Sequence, residues 1–503
     1  MSPDSGDSRK PAPLGVGITY SEAIVPLLER RPELFPVVEI EPQTTWMRTA
    51  VAASPYRVKE EVIERLLSLP GQKLIHSVGT PVGGSVRPEP AQLALLRDAI
   101  ARFEAPWVSD HLSFNQTPEF ATGFFLPPRQ TIAGVSTVTR SIRDLQESLS
   151  VPVAVETGVN YLRPRSDELP DGNFVRRVSE AAGCGLLLDL HNVFTNALNG
   201  RQPLDAFLDD LPLERVWEVH LAGGMELDGF WLDAHSGAIP DALYSVAEQI
   251  IPRLPNLGAI IFEIFPSFVP VVGLDLVEEQ IHRLHALWRR RALPDTQRSV
   301  APSLPIVVLS PGTSVASQDA EMPDAWERAL GSLVIGRSSD GDLLRELGAD
   351  PGVKLIAGLI FEFRASMVVG TLRLTSRLML LALGQTAFRT ILLDYCQRIP
   401  PQLYGSLEAE AFDRYIRELH LEVPHLAKVL EFEQATLTTL CDDRTRVVTF
   451  DFEPLPLLRA LAEGRLPTEA GVPGHFEIEL TADSQTGLAN VESDAMSVAF
   501  PFH

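Results

Sequence analysis

Histidines and carboxylates sit at the ends of short apolar runs through the first half of the chain. They are His76 in KLIHS, Asp110 and His111 in WVSDHL, Glu156 in VAVET, Asp189, His191 and Asn192 in LLLDLHN, His220 in WEVHLAGG, Asp233 and His235 in WLDAHSG, and Glu263 in IIFEIF. Five of the 11 histidines fall in these places. Any one of these residues alone is satisfied by an ordinary hydrogen bond. Gathered at one place, so many imidazoles and carboxylates repel or stay unsatisfied unless cations bind them. One metal takes roughly four to six ligands and this set exceeds that, so two or three ions are the expectation. Mixed imidazole and carboxylate without thiolate suits iron, manganese or zinc rather than calcium, and spacing does not choose among the three. Glu156 and Asp189 can each bridge two metals through their two oxygens.

A closed barrel is the architecture that gathers them. The runs Gly15–Thr19, Val37–Glu41, Lys73–His76, Trp107–His111, Val153–Glu156, Gly185–Asp189, Val216–Leu221 and Ala259–Ile264 read as eight strands. Between and after them, Val58–Leu69, Ala91–Phe103, Val135–Leu149, Asn173–Ala182, Leu204–Leu208, Asp241–Arg253 and Leu274–Arg290 have helical period. Alternating strands and helices imply parallel pairing, and eight units imply a (β/α)8 TIM barrel whose C-terminal strand ends share one mouth. The stretch Gly185–Asn199, GLLLDLHNVFTNALN, reads as a buried strand that delivers Asp189, His191 and Asn192 and leaves through a polar loop.

Weaker signals fit around this frame. Gly79–Gly84, GTPVGG, lacks the Lys-Ser/Thr of a phosphate loop and reads as a βα loop beside the metals. Gly223 and Gly224 after His220 allow close backbone approach. His282 and His285 lie in a terminal helix, away from the strand ends, and Cys184 precedes a buried strand and reads as packed.

At 503 residues the chain is too long for one core. Residues 1–13 read as disordered, 14–291 as the metal-binding barrel, 292–305 as a Pro/Ser/Thr-rich linker and 306–503 as a second, mostly helical α+β domain. In that domain Leu372–Tyr395, Glu408–Leu419 and Pro424–Leu440 read as helices, and Arg446–Phe452 and His475–Leu480 as strands. The 43 basic and 66 acidic side chains give a net charge of -23, which excludes nucleic acid as a first reading. Three cysteines far apart suggest neither a disulfide framework nor a thiolate site. The N-terminus lacks an apolar signal core, and Leu372–Leu383, with Arg373 and Arg377 inside it, reads as a core helix rather than a membrane span. A soluble cytoplasmic protein without a membrane partner is the expectation.

At these residues the chain resembles the multinuclear non-heme iron-dependent oxidative enzymes, a family once catalogued as a domain of unknown function that includes the methanobactin oxazolone-forming enzyme. The resemblance runs over roughly residues 14–290, on the His-Ser-x-Gly loop at His76, the SDHL segment, Glu156, Asp189 with Asn192, the HLAGG segment and the Asp-x-His pair Asp233 and His235. It implies an xylose-isomerase-like barrel holding two or three iron ions, mixed Fe(II)/Fe(III), with dioxygen as co-substrate and a ribosomal precursor peptide modified at or near cysteine. It implies His76, His111, Glu156, Asp189, Asn192, His220, Asp233, His235 and Glu263 as metal ligands, all of them but Asn192 and Glu263 also as the catalytic set, and Asp110 as an orienting carboxylate. The C-terminal segment resembles, more loosely, the helical part of the separate partner protein that recruits the precursor peptide in this family, here fused in one chain.

The sequence departs from the family where members often carry Glu-Asn after the second strand. Here it reads Glu41-Pro42-Gln43-Thr44, so the carboxylate is missing or displaced to Glu41; Glu156-Thr157 and Asp189-Leu190-His191-Asn192 replace two further family patterns. Two rival readings stand beside iron-dependent oxidation. One is a zinc or manganese isomerase or hydrolase of the xylose isomerase or endonuclease IV type, separated from it by metal analysis and oxygen consumption. The other is a non-catalytic metal- or peptide-binding scaffold, in which replacing His220 by Ala leaves peptide binding intact.

Overall fold

A computed structural model describes residues 11–48, 55–291, 323–337, 341–467 and 472–481. The linker expected at 292–305, and residues 1–10 of the expected disordered N-terminus, lie outside the described residues.

The eight apolar runs form eight strands: β1 (Gly15–Thr19), β2 (Val37–Ile40), β3 (Gln72–Ser77), β4 (Val108–His111), β5 (Val153–Glu156), β6 (Gly185–Asp189), β7 (Val216–Ala222) and β8 (Ala259–Glu263). All pair in parallel in the order β1-β8-β7-β6-β5-β4-β3-β2, and β1 also pairs with β2, which closes the barrel. Their outward residues pack against the surrounding helices in one large core that includes Val16, Ile18, Val38, Ile75, Val155, Leu188, Val219 and Phe262. Because side chains alternate along a strand, the inward set is separate. Toward the N-terminal end Val37, Leu74, Trp107, Ala154, Ala259 and Ile261 plug the barrel with apolar groups.

The loops after the strands depart from a minimal barrel. Three antiparallel hairpins rise there, pairing Trp46–Arg48 with Tyr56–Val58, Phe114–Gln116 with Ala121–Leu126, and Met225–Leu227 with Phe230–Leu232. After β6 the chain does not enter a polar loop as expected; Leu190–Leu198 is a helix. Asp189 is its N-cap, the side chain accepting the Asn192 N–H at 2.8 Å, so one residue ends the strand and starts the helix.

Beyond the barrel, three further helices that the sequence pattern did not reveal run Pro323–Val334, Asp342–Gly348 and Pro351–Thr371, and a fourth runs Leu455–Ala462. The helix expected over Leu372–Tyr395 is two, Arg373–Leu383 and Gln385–Arg398, broken at Gly384, whose φ of +82° an L side chain rarely adopts. Arg373–Leu383 is a core helix: Leu378 and Met379 are buried, and Arg377 donates to the Leu461 carbonyl at 3.0 Å. Among the described residues no single helix is long and apolar enough to cross a membrane. A two-stranded antiparallel sheet of Arg446–Phe452 and Pro473–Leu480 packs beside the helix Leu426–Asp442.

The two halves of the chain meet over the loops at the barrel mouth. Trp326, Leu330, Val353, Ile356 and Ile360 share one buried cluster with Phe114, Leu126, Tyr161, Leu162 and Leu232. Polar contacts pin the same seam: Trp326 donates to the Pro127 carbonyl at 3.0 Å, Gln92 to the Tyr404 hydroxyl at 2.8 Å and Ser406 to the Arg48 carbonyl at 2.9 Å.

Candidate metal centre

The inward-facing residues turn from apolar to charged two positions further along the strands: Val37 is followed by Glu39, Leu74 by His76, Ala154 by Glu156 and Ile261 by Glu263. Among the described residues five groups of donors each have their ligating atoms within 4.8 Å of one another, and three of them run in a row: His76, His111 and Glu156; Glu156, Asp189 and His220; Asp189, His235 and Glu263; the other two, His191, Asp233 and His235, and Glu39, Glu218 and His220, branch from it. Within the row Glu156 belongs to the first two groups and Asp189 to the last two, so the two carboxylates link the three across the mouth.

Hydrogen bonds on the far side of each ring decide which nitrogen faces the row. His111 Nδ1 lies 3.2 Å from the Ser77 carbonyl, which only accepts, so Nδ1 carries the proton and Nε2 is bare. That bare Nε2 is 3.2 Å from Glu156 Oε2, an acceptor facing an acceptor. His76 repeats the pattern: Nδ1 meets the Ser109 hydroxyl at 2.9 Å, that hydroxyl donates to the Ile75 carbonyl, and Nε2 is 3.4 Å from the same Glu156 oxygen. His220 donates Nε2–H to Glu39 Oε2 at 3.1 Å, which aims Nδ1 at Glu263 Oε1, 3.2 Å away. At His76 and His111 a cation bound by both partners would relieve the confrontation of lone pairs.

The buried atoms left without a hydrogen bond tell the same story. Among the described residues the buried oxygens Glu156 Oε2, Asp189 Oδ2 and Asn192 Oδ1 have no hydrogen-bond partner. His235 Nε2, by contrast, is 2.8 Å from Asp233 Oδ1 and 3.4 Å from Glu263 Oε2, close enough for an ion pair. Buried polar atoms are nearly always paired, so three bare oxygens that converge on one mouth fit bound metal.

Electrostatics follow from crowding. Burial, reinforced by the charge on Asp189, raises the Glu156 carboxyl well above the usual carboxylate range, and burial pushes Asp189 up to about 7. Burial pushes His111 down to about 4 and lowers His76 as well, the neighbouring rings adding to the drop. At the other end burial is outweighed: Asp233 and Glu263 raise His235 to about 10, and Glu263 and Glu39 hold His220 well above its ordinary value. The surroundings of His76 and His111 thus favour the neutral imidazole, and those of His220 and His235 favour the charged one.

All nine residues expected as ligands lie at this mouth or against it. Asn192 stands beside the row, its side-chain amide donating to Glu156 Oε1 at 3.1 Å. Asp110 points away from it; Oδ1 accepts the His111 N–H at 2.7 Å and Oδ2 accepts the Thr80 hydroxyl, so it orients the backbone that carries His111. His191 is buried behind Asp233, with Nδ1 3.0 Å from Asp233 Oδ1 and Nε2 accepting the Trp231 indole N–H at 3.4 Å. A Cβ on Gly224 would lie 2.6 Å from His191 Nε2, which is why the HLAGG segment ends in glycine there. His235 itself has φ +44°, a strained backbone at the site. Glu41 is half-buried, and burial together with the charge of Glu263 pushes its carboxyl up to about 7, which puts the displaced carboxylate within the field of the cluster.

Reading strand ends alone misses the layer beneath. Glu39 and Glu218 are fully buried; Glu39 accepts from Thr19 at 2.8 Å and from His220, and Glu218 accepts the Trp107 indole N–H at 3.0 Å. The available signal was strand parity, since each lies two residues before a residue already singled out, Glu41 or His220.

Residues 15–271, just over half of the chain, match the model of a family described as RiPP precursor modification enzyme MbnB/TglH/ChrH. A UPF0276 protein of Chromobacterium violaceum is 33 % identical over 180 residues, 36 % of this chain and 65 % of that protein. A UPF0276 protein of Streptomyces avermitilis is 31 % identical over 241 residues, 46 % of this chain and 49 % of that protein. The matched region thus spans between about half and two thirds of these relatives' lengths. Among solved structures, a xylose isomerase domain protein from Planctomyces limnophilus is similar with TM-score 0.34 and 15 % identity, covering 55 % of this chain and 94 % of that one.

Proposed function

From the premise that the chain belongs to the family of RiPP precursor modification enzymes MbnB/TglH/ChrH, we propose that it uses two or three iron ions and dioxygen to oxidise a ribosomally made precursor peptide at or near a cysteine. The observation that carries the reading is the row of three donor groups joined through Glu156 and Asp189, with the Nε2 atoms of His76 and His111 facing Glu156 Oε2.

His76, His111 and Glu156 would hold one ion, Glu156, Asp189 and His220 a second, and Asp189, His235 and Glu263 a third, with Asp233 against His235 and Asn192 against Glu156. Iron bound there supplies electrons to dioxygen and a positive anchor for a substrate thiolate. The chain's own groups prepare for that chemistry. Ser77, Ser109 and Glu39 fix which nitrogen of His111, His76 and His220 faces the row, as outer partners of metal-ligating histidines do. Phe125 stacks on the His111 ring at 4.0 Å and Phe265 lies against the His235 ring at 4.6 Å, so the two more exposed histidines are shielded from water on one face each. The helical C-terminal region, seated on the barrel's loops, would bind the precursor peptide and raise its concentration at the mouth.

The test is aerobic incubation of iron-loaded protein with short peptides encoded beside its gene, read by mass spectrometry and oxygen consumption. The expected result is a mass change confined to a cysteine-containing segment with oxygen consumed. Zinc or manganese in the purified protein, unchanged peptide mass and no oxygen uptake would defeat the proposal.

A further inference from the structure

We infer that Glu327, on the helix Pro323–Val334 beyond the barrel, is a positioning residue that holds the His111 edge of the metal centre through the glycine-rich loop Gly79–Gly84. The inference rests on the mouth being a metal centre. Glu327 is 1 % exposed, and its carboxylate accepts the Ser85 N–H at 2.9 Å and the Ser85 hydroxyl at 2.5 Å. Ser85 closes the loop. Three and two residues earlier the loop is bonded to the segment that carries His111: Val82 N–H donates to the His111 carbonyl at 3.0 Å and Gly83 N–H to the Ser113 carbonyl at 2.7 Å.

The loop has no slack against that segment. A Cβ on Gly83 would lie 2.6 Å from the Ser113 nitrogen and one on Gly84 2.7 Å from Phe114 Cβ, so only glycine lets the two backbones touch. The helix has none either, because Trp326, the residue before Glu327, donates to the Pro127 carbonyl at 3.0 Å and lies 4.9 Å from the Arg129 guanidinium. A shift of the helix therefore passes through Ser85 and the loop to His111, whose Nε2 faces Glu156. Burial raises the Glu327 carboxyl to about 7 although the two Ser85 bonds pull the other way, so those bonds favour the charged form that burial disfavours.

The experiment compares full-length wild type, Glu327→Ala and Glu327→Gln by amide hydrogen exchange, and by visible absorption on anaerobic titration with Co(II). Exchange at residues 82–85 and 111–114 is expected to accelerate about tenfold or more in Glu327→Ala, the loss of hydrogen bonds to a charged group. Co(II) affinity is expected to fall about tenfold with altered bands, as when an outer partner of a ligand is removed. Glu327→Gln, which still accepts the Ser85 N–H, is expected to restore both. Faster exchange confined to Ser85, or identical behaviour of the Ala and Gln variants, would overturn the inference. A wild type that takes up no Co(II) sinks the metal centre instead, and the exchange data still decide whether Glu327 holds the loop.

Discussion

The two halves of the barrel interior are built by the same strands, are equally buried, and do opposite things. Val37, Leu74, Ala154 and Ile261 close the lower end as an apolar plug, and Glu39, His76, Glu156 and Glu263, each two residues on, carry charge into the upper end. Apolar side chains there gain from leaving water, roughly 1.5–3 kcal/mol for each fully buried Leu or Ile, whereas a buried carboxylate or imidazole costs free energy until it is paired. The lower layer therefore supplies stability and the upper layer spends some of it to hold a buried group of donors that could bind cations. Trp107 stitches the two together, its ring in the plug and its indole N–H on Glu218.

The sharpest way to break this division is to remove a shared carboxylate. Glu156→Ala takes a donor from two groups of the row at once and is expected to lower bound metal by more than one ion per chain, while His111→Ala, at one end of the row and in a single group, lowers it by one. Metal analysis of folded protein checks the pair; equal losses would mean that Glu156 bridges nothing. In the lower layer Leu74→Ala is expected to cost about 2–5 kcal/mol of stability with metal content unchanged, measured by denaturant unfolding. If that variant loses metal in proportion, the layers are not separable. Glu39→Gln keeps shape but weakens the acceptor for His220 Nε2–H, and is expected to reduce metal affinity about 10–100-fold with little change in melting temperature.

The barrel strands were legible because every one is a short apolar run ending in polar residues, and the structure places each within a residue or two of the run. The gathering of these histidines and carboxylates was legible because the barrel turns strand ends into one mouth. What stayed hidden obeys other rules. The helix Leu190–Leu198 contains His191, Asn192, Thr195 and Asn196, which favour helix weakly, and forms because Asp189 caps it and the barrel buries it. Pro351–Thr371 is apolar on nearly all sides, burying Val353, Ile356, Ile360, Arg364 and Val368 while Phe363 is exposed, so no amphipathic stripe marks it. Hairpin strands such as Trp46–Arg48 are three residues long, too short for a period to show. Glu39 and Glu218 were missed because charge was sought at strand ends and not along the inward parity of β2 and β7.

The smallest test concerns the boundary between the layers. Thr19 Oγ1 donates to Glu39 Oε1 at 2.8 Å, and Glu39 in turn takes the proton of His220 Nε2. Thr19→Val has nearly the same shape and deletes that single hydroxyl, so the plug below stays packed while Glu39 loses one of its two donors. One such bond contributes about 1 kcal/mol, roughly a fivefold change in an equilibrium constant. If Glu39 acts by aiming His220, Thr19→Val lowers metal affinity about fivefold, a fraction of the Glu39→Gln effect in the same direction, and the double variant is no weaker than Glu39→Gln alone. Calorimetric titration of the three variants reads this directly. Additive losses in the double variant would show that Thr19 acts on the site by another route, and that the division between plug and mouth is drawn one residue too low.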